Sequence, residues 1–243
     1  MLYFVINLKN YSKVGGSGAV RFARAAFEAL KESEFKRKGV ELVLALPAFS
    51  IGIVAEQFPR LTIYAQHLDV EMEGSSTGFL VPEIAKSFGA KGSILNHSEH
   101  RLSEEILAKS VVRLKQLGLR SIVCARDATE VGKIAELSPD YIAIEPPELI
   151  GSGNAVSKSR PEVVTDSKIT LDNARPRGSN TILLCGAGIV ESIDAQRSIE
   201  LGAEGILVAS GVIKALNWKK KIESLAEGLS VAGKKRARPK QKR

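Results

Sequence analysis

Eight short apolar runs, separated by helix-patterned stretches along 243 residues, predict an α/β fold of the (β/α)8 barrel class. Two further observations favour a closed barrel over an open, doubly wound sheet. The runs are mostly continuous rather than alternating, as strands buried on both faces require. The first run is followed by Asn7-Leu8-Lys9-Asn10-Tyr11, with none of the G-x-G-x-x-G turn that a dinucleotide-binding sheet places there.

The runs span residues 3–6, 40–46, 61–65, 93–95, 121–125, 141–144, 181–184 and 205–208. Between them lie amphipathic stripes, such as Ile106, Leu107, Val111, Leu114 and Leu117, or Val131, Ile134, Ala135 and Leu137. Gly39, Gly118 and Gly202 stand just before strands and read as helix stops. Gly15-Gly16-Ser17-Gly18 lacks the Gly-Lys-Ser/Thr of a phosphate-binding P-loop and reads as a loop entering the first helix. One domain is expected over residues 1–231, followed by a basic tail, 232–243, expected to be disordered.

Composition excludes several classes. No run reaches the 18 or so apolar residues of a membrane span, and the N-terminus lacks a signal pattern, so a cytoplasmic protein is expected. Cys124 and Cys185 each end an apolar run and are expected as buried free thiols. The net charge of +8 is uneven: residues 234–243 hold seven Lys or Arg and no acid, leaving 28 basic against 27 acidic residues in the rest. Nucleic acid could be bound only through that tail, which has no interleaved aromatics for base stacking. A solvated tail is the simpler reading.

A barrel presents its chemistry on the loops that follow the strands. After the first run, Asn7 and Lys9 are two apart, which places both side chains on the inner side of an extended chain. A lysine in a barrel mouth is costly unless an anion pairs with it. After the fourth come Asn96-His97-Ser98-Glu99-His100. A histidine opening a helix has its cationic form disfavoured by the dipole and would serve as a neutral donor. Zinc on His97 and His100 would need a third, well-spaced ligand that the sequence does not offer.

The sixth run stops at Glu145, followed by Pro146-Pro147-Glu148-Leu149-Ile150-Gly151-Ser152-Gly153. Read alone, this is either a strand reaching water or a base on a closing loop. After the seventh and eighth runs come Gly186-Ala187-Gly188 and Ala209-Ser210-Gly211, small residues that let backbone N–H groups approach an anion. Together the loops supply a cation, an imidazole, a carboxylate and a phosphate cradle. That set suits proton abstraction beside a carbonyl on a small phosphorylated substrate.

These motifs, in this order, resemble triosephosphate isomerase, most closely its short archaeal form, from about residue 3 to about residue 228. The family supplies a worked example of pKa tuning, so its acid and base assignments are not new here. The resemblance implies Glu145 as the base, His97 as neutral acid and proton shuttle, and Lys9, with Asn7, as stabiliser of the enediolate. It implies phosphate binding by Gly151, Gly186, Gly188, Ala209 and Ser210, a role in glycolysis and gluconeogenesis, and no metal or organic cofactor. It also implies a homodimer or homotetramer, with Thr77 of the long 68–78 loop crossing to a partner's site and Glu99 beside it. The chain departs from the widely distributed form of the family at Gly188, where that form has Ser, and at Glu148, where it has Trp. Other phosphate-binding barrels share the glycine loops but not the joint Asn-x-Lys, His-Ser-Glu and Glu-Pro-Pro set.

Overall fold

The computed structural model describes residues 1–32, 39–149 and 156–237. Eight parallel strands pair in chain order, and β1 pairs with β8, so the sheet closes into a barrel. They are β1 Leu2–Asn7, β2 Val40–Leu46, β3 Thr62–Ala65, β4 Gly92–Leu95, β5 Arg120–Ala125, β6 Tyr141–Ile144, β7 Ile182–Cys185 and β8 Gly205–Val208. Around them run α1 Ser17–Glu32, α2 Ala48–Gln57, α3 Pro82–Ser87, α4 Glu104–Gln116, α5 Ala128–Glu136, α6 Val156–Ser159, α7 Pro161–Ala174, α8 Ser192–Glu200, α9 Ser210–Ile213 and α10 Trp218–Ala237. No described helix is long and apolar enough to cross a membrane.

The continuous apolar runs serve two cores at once. Val5, Val43, Tyr64, Ile94, Ile122, Cys124, Ala143, Leu184 and Leu207 point into the barrel. Their neighbours, among them Phe4, Ile6, Leu42, Leu44, Ile63, Leu95, Val123, Ile142 and Leu183, pack outward under the helices. With side chains alternating across a strand, only an uninterrupted apolar run can fill both spaces. Both cysteines are buried free thiols, Cys124 inside the barrel and Cys185 outside it.

Turn chemistry sets the ends. Gly39, Gly118 and Gly202 have φ of 67°, 67° and 113°, a region open to glycine without a Cβ penalty. Ser103 and Asp127 cap α4 and α5 through their side chains. The segment around Lys13 has a clear role. A 3-10 turn, Ser12–Val14, presents the Lys13 ammonium to the carbonyls of Ala215 (3.2 Å) and Ile213 (3.5 Å), with the Trp218 ring 4.9 Å away. A cation thereby closes the C-terminal end of α9 and ties the loop after β1 to the one after β8.

The last helix, α10, runs to Ala237, into the start of the basic segment. Ala232 is buried, and Gly233 sits so close to Leu2 that an added Cβ would lie 3.0 Å from its Cδ1. The helix thus docks beside β1, and the small residues there permit it. Residues 238–243 lie outside the described residues.

Candidate active site

The inward parity of the strands continues past their ends and brings polar groups to one mouth of the barrel. On β1 the inward series Tyr3 and Val5 continues to Asn7, which is buried. Asn7 Oδ1 accepts the Lys9 N–H at 2.9 Å, and Lys9 itself has a φ of 47°. The expectation that Lys9 follows Asn7 on an extended chain is therefore corrected. An Asx turn, not strand alternation, aims Lys9 into the mouth. Gln66 supports it by donating to the Lys9 carbonyl at 3.1 Å. Lys9 Nζ lies 2.7 Å from Glu99 Oε1, at the edge of the pocket.

His97 also departs from expectation. No helix opens there, since α4 starts at Glu104. Asn96, with a φ of 58°, turns the chain sharply out of β4. Its buried side chain donates to the Cys124 carbonyl (3.1 Å) and accepts the Leu102 N–H (3.0 Å). The loop is further held by Arg101, which donates to the Asn96 carbonyl at 3.1 Å and pairs with Glu130. Within this frame the Glu99 N–H donates to His97 Nδ1 at 3.1 Å. A ring nitrogen that accepts carries no proton, so Nε2 is the donor. A backbone amide, not a helix N-terminus, thus fixes which ring nitrogen donates.

Glu145 continues the inward series Tyr141 and Ala143 of β6. It is only 4% exposed, its Oε2 has no hydrogen-bond partner among the described residues, and that oxygen lies 3.6 Å from His97 Nε2. Burial raises its carboxyl above the ordinary 4.5, while His97, the Cys124 thiol and Lys9 work the other way. Such a carboxylate is a stronger base than one in water.

The register explains Gly186. Ala143 pairs with Leu184 across β6 and β7, so Glu145 and Gly186 stand side by side one step further on, both inward. A Cβ on Gly186 would lie 2.4 Å from Glu145 Cγ. Gly186 was expected as part of the phosphate cradle; the geometry also makes it the seat of the carboxylate. Gly186→Ala is expected to lower kcat by about 100-fold by displacing Glu145, with the fold retained. Steady-state kinetics beside a melting curve checks this.

The remaining wall comes from the last two strand ends. Lys9, His97, Glu145, Gly186, Gly188, Ala209 and Ser210 line a single pocket, and Asn7 lines the adjoining groove. Gly188 has a φ of 70°. The N–H groups of Gly188 and Ile189 donate to no acceptor among the described residues. α9 begins at Ser210, so its first N–H groups lack intrahelical partners as well. These donors can hold an anion. Gly151 lies outside the described residues. Thr77 is exposed on its loop and does not line this chain's own pocket. Sequence reasoning missed the roles of Asn96, Gln66, Arg101 and Cys124, each of which has at least one partner on a distant strand or loop.

A closed (β/α)8 barrel with a base, a donor, a cation and an anion cradle at one mouth defines an enzyme working on a small anionic substrate. Comparison with known proteins narrows this. The family described as triosephosphate isomerase matches residues 2–225. The curated triosephosphate isomerase of Cenarchaeum symbiosum is 42% identical over 205 residues, covering 84% of this chain and 87% of its own. That of Sulfurisphaera tokodaii is 40% identical over 205 residues, covering 84% and 85%. That of Methanococcoides burtonii is 43% identical over 202 residues, covering 83% and 87%. The chain belongs to the triosephosphate isomerase family, and triosephosphate isomerisation is its activity.

Proposed function

We propose that Glu145, His97 and Lys9 carry the interconversion of dihydroxyacetone phosphate and D-glyceraldehyde 3-phosphate. Glu145 takes a proton from C1 of the ketone while His97 Nε2–H donates to the carbonyl oxygen. The resulting enediolate is stabilised by the Lys9 ammonium. Glu145 returns its proton to C2, and His97 recovers a proton from the C1 oxygen, leaving the aldehyde. The phosphate rests on the N–H groups of Gly188 and Ile189 and of the start of α9. The observation that carries this reading is the buried Glu145 oxygen, without a hydrogen-bond partner among the described residues, 3.6 Å from a histidine nitrogen left as donor. The test is conversion of glyceraldehyde 3-phosphate by purified protein without added metal. No turnover by folded protein would sink the assignment of roles.

We further propose a cytoplasmic homodimer. Beside the groove that leads to Lys9 stands Phe49, fully exposed, with Met72 and Phe79 exposed on the loop that carries Thr77. The neck of that loop is closed by Asp69, whose N–H and carboxylate both bond Leu80 (3.0 and 2.7 Å). A preformed loop with an apolar rim fits the groove of a second copy, where Thr77 would reach the other Lys9. Sedimentation is expected to give twice the chain mass, and dilution to monomer is expected to lower specific activity. A fully active monomer would contradict this.

A further inference from the structure

Asp194 stands behind the anion cradle, outside the pocket, and is 2% exposed. Its Oδ2 accepts two backbone N–H groups, from Glu191 at 2.8 Å and Val190 at 3.1 Å. Its Oδ1 faces Lys158 Nζ at 2.8 Å. Burial works against its charged form, but the nearby Lys158 ammonium and the N–H bonds from Glu191 and Val190 hold the carboxyl below the usual carboxylate range. Lys158 belongs to α6, which follows β6, whereas Asp194 belongs to α8, which follows β7. The two elements meet a second time, where Ser157 Oγ donates to the Asp194 carbonyl at 3.4 Å.

The consequence falls on the loop between β7 and α8. Gly188, Ile189 and Val190 line the pocket. By taking the N–H groups of Val190 and Glu191, the carboxylate pins the last part of that loop to the helix. The N–H groups of Gly188 and Ile189 then stay uncommitted. A bare carboxylate behind an anion site would, however, repel the anion. Lys158 offsets that charge from outside the pocket, and a buried carboxylate without such a partner would be strongly unfavourable. A helix cap alone would use the N–H bonds; it would not need a lysine from another βα unit.

We propose that Asp194 and Lys158 are positioning residues for the substrate phosphate: Asp194 sets the loop after β7, and Lys158 neutralises and steadies Asp194. This rests on the phosphate reading of the pocket given above. The test uses the full chain with Lys158→Gln, Lys158→Arg and Asp194→Asn. It measures kcat and KM for glyceraldehyde 3-phosphate, competitive inhibition by inorganic phosphate, and turnover of unphosphorylated glyceraldehyde. Loss of the Lys158–Asp194 ion pair is expected to raise the phosphate inhibition constant and KM about tenfold in the Gln and Asn variants. Turnover of glyceraldehyde should be unchanged, and Lys158→Arg should restore the parent values. Unchanged phosphate inhibition in Lys158→Gln, or a parallel fall in glyceraldehyde turnover, overturns the proposal. Should Asp194→Asn fail to fold, Lys158→Gln decides, since that lysine is 42% exposed. A parent chain that isomerises but ignores inorganic phosphate overturns the proposal alone; one that does neither overturns the functional reading with it.

Discussion

Glu145→Gln is expected to lower kcat by about 10^3- to 10^4-fold, because it keeps the shape of the side chain and removes the base. The same variant is expected to melt higher than the parent once the pH exceeds the folded value of the Glu145 carboxyl. The sign follows from burial. A carboxyl whose folded pKa is raised favours the folded state while protonated, and that contribution is lost as pH rises through the folded value. Once the pH exceeds that folded value the parent holds a buried charge, and the amide does not. Below the ordinary glutamate value of 4.5 the parent side chain is neutral too, and the two melting curves should converge. Activity has its own signature: kcat/KM of the parent should fall on the acid side at a pH above 4.5, since the free carboxylate is required. Equal melting temperatures across the whole pH range would mean that Glu145 is not desolvated in solution.

Lys9→Met is expected to cost about 3–4 kcal/mol of transition-state stabilisation, or roughly 10^2- to 10^3-fold in kcat/KM, as for loss of an oxyanion donor. Its effect on stability should be small. The partner, Glu99, is 59% exposed and regains water when Lys9 is removed. The asparagine that shapes the turn accepts from the backbone of residue 9, so it is indifferent to the side chain there. A variant that loses activity without losing melting temperature identifies an electrostatic role. A proportional loss of both would place Lys9 in the scaffold instead.

Much of this site is legible in sequence because a barrel gathers its strand ends. Glu145, Gly186 and Gly188 lie just beyond β6 and β7, and residues so placed converge whatever lies between them. His97 and Lys9 are found by the same rule. The reasons these residues work are less legible. Gly186 is glycine because of a lateral neighbour on another strand, 41 positions away in the chain. His97 presents Nε2 because a backbone amide two residues on turns back to Nδ1, in a loop held by Asn96 and Arg101.

Sequence by itself determined the number and order of strands, their double burial, the glycine stops and the residues at the mouth. All of these follow from local periodicity, turn preference and the geometry of closure. Tertiary structure decided the left-handed turn that aims Lys9, the donor nitrogen of His97, the seat of Glu145 and the extension of α10 to Ala237. It also decided the pairing of Lys158 with Asp194. Each depends on a contact between groups far apart in the chain or on a single backbone dihedral, and neither leaves a periodic trace in the sequence.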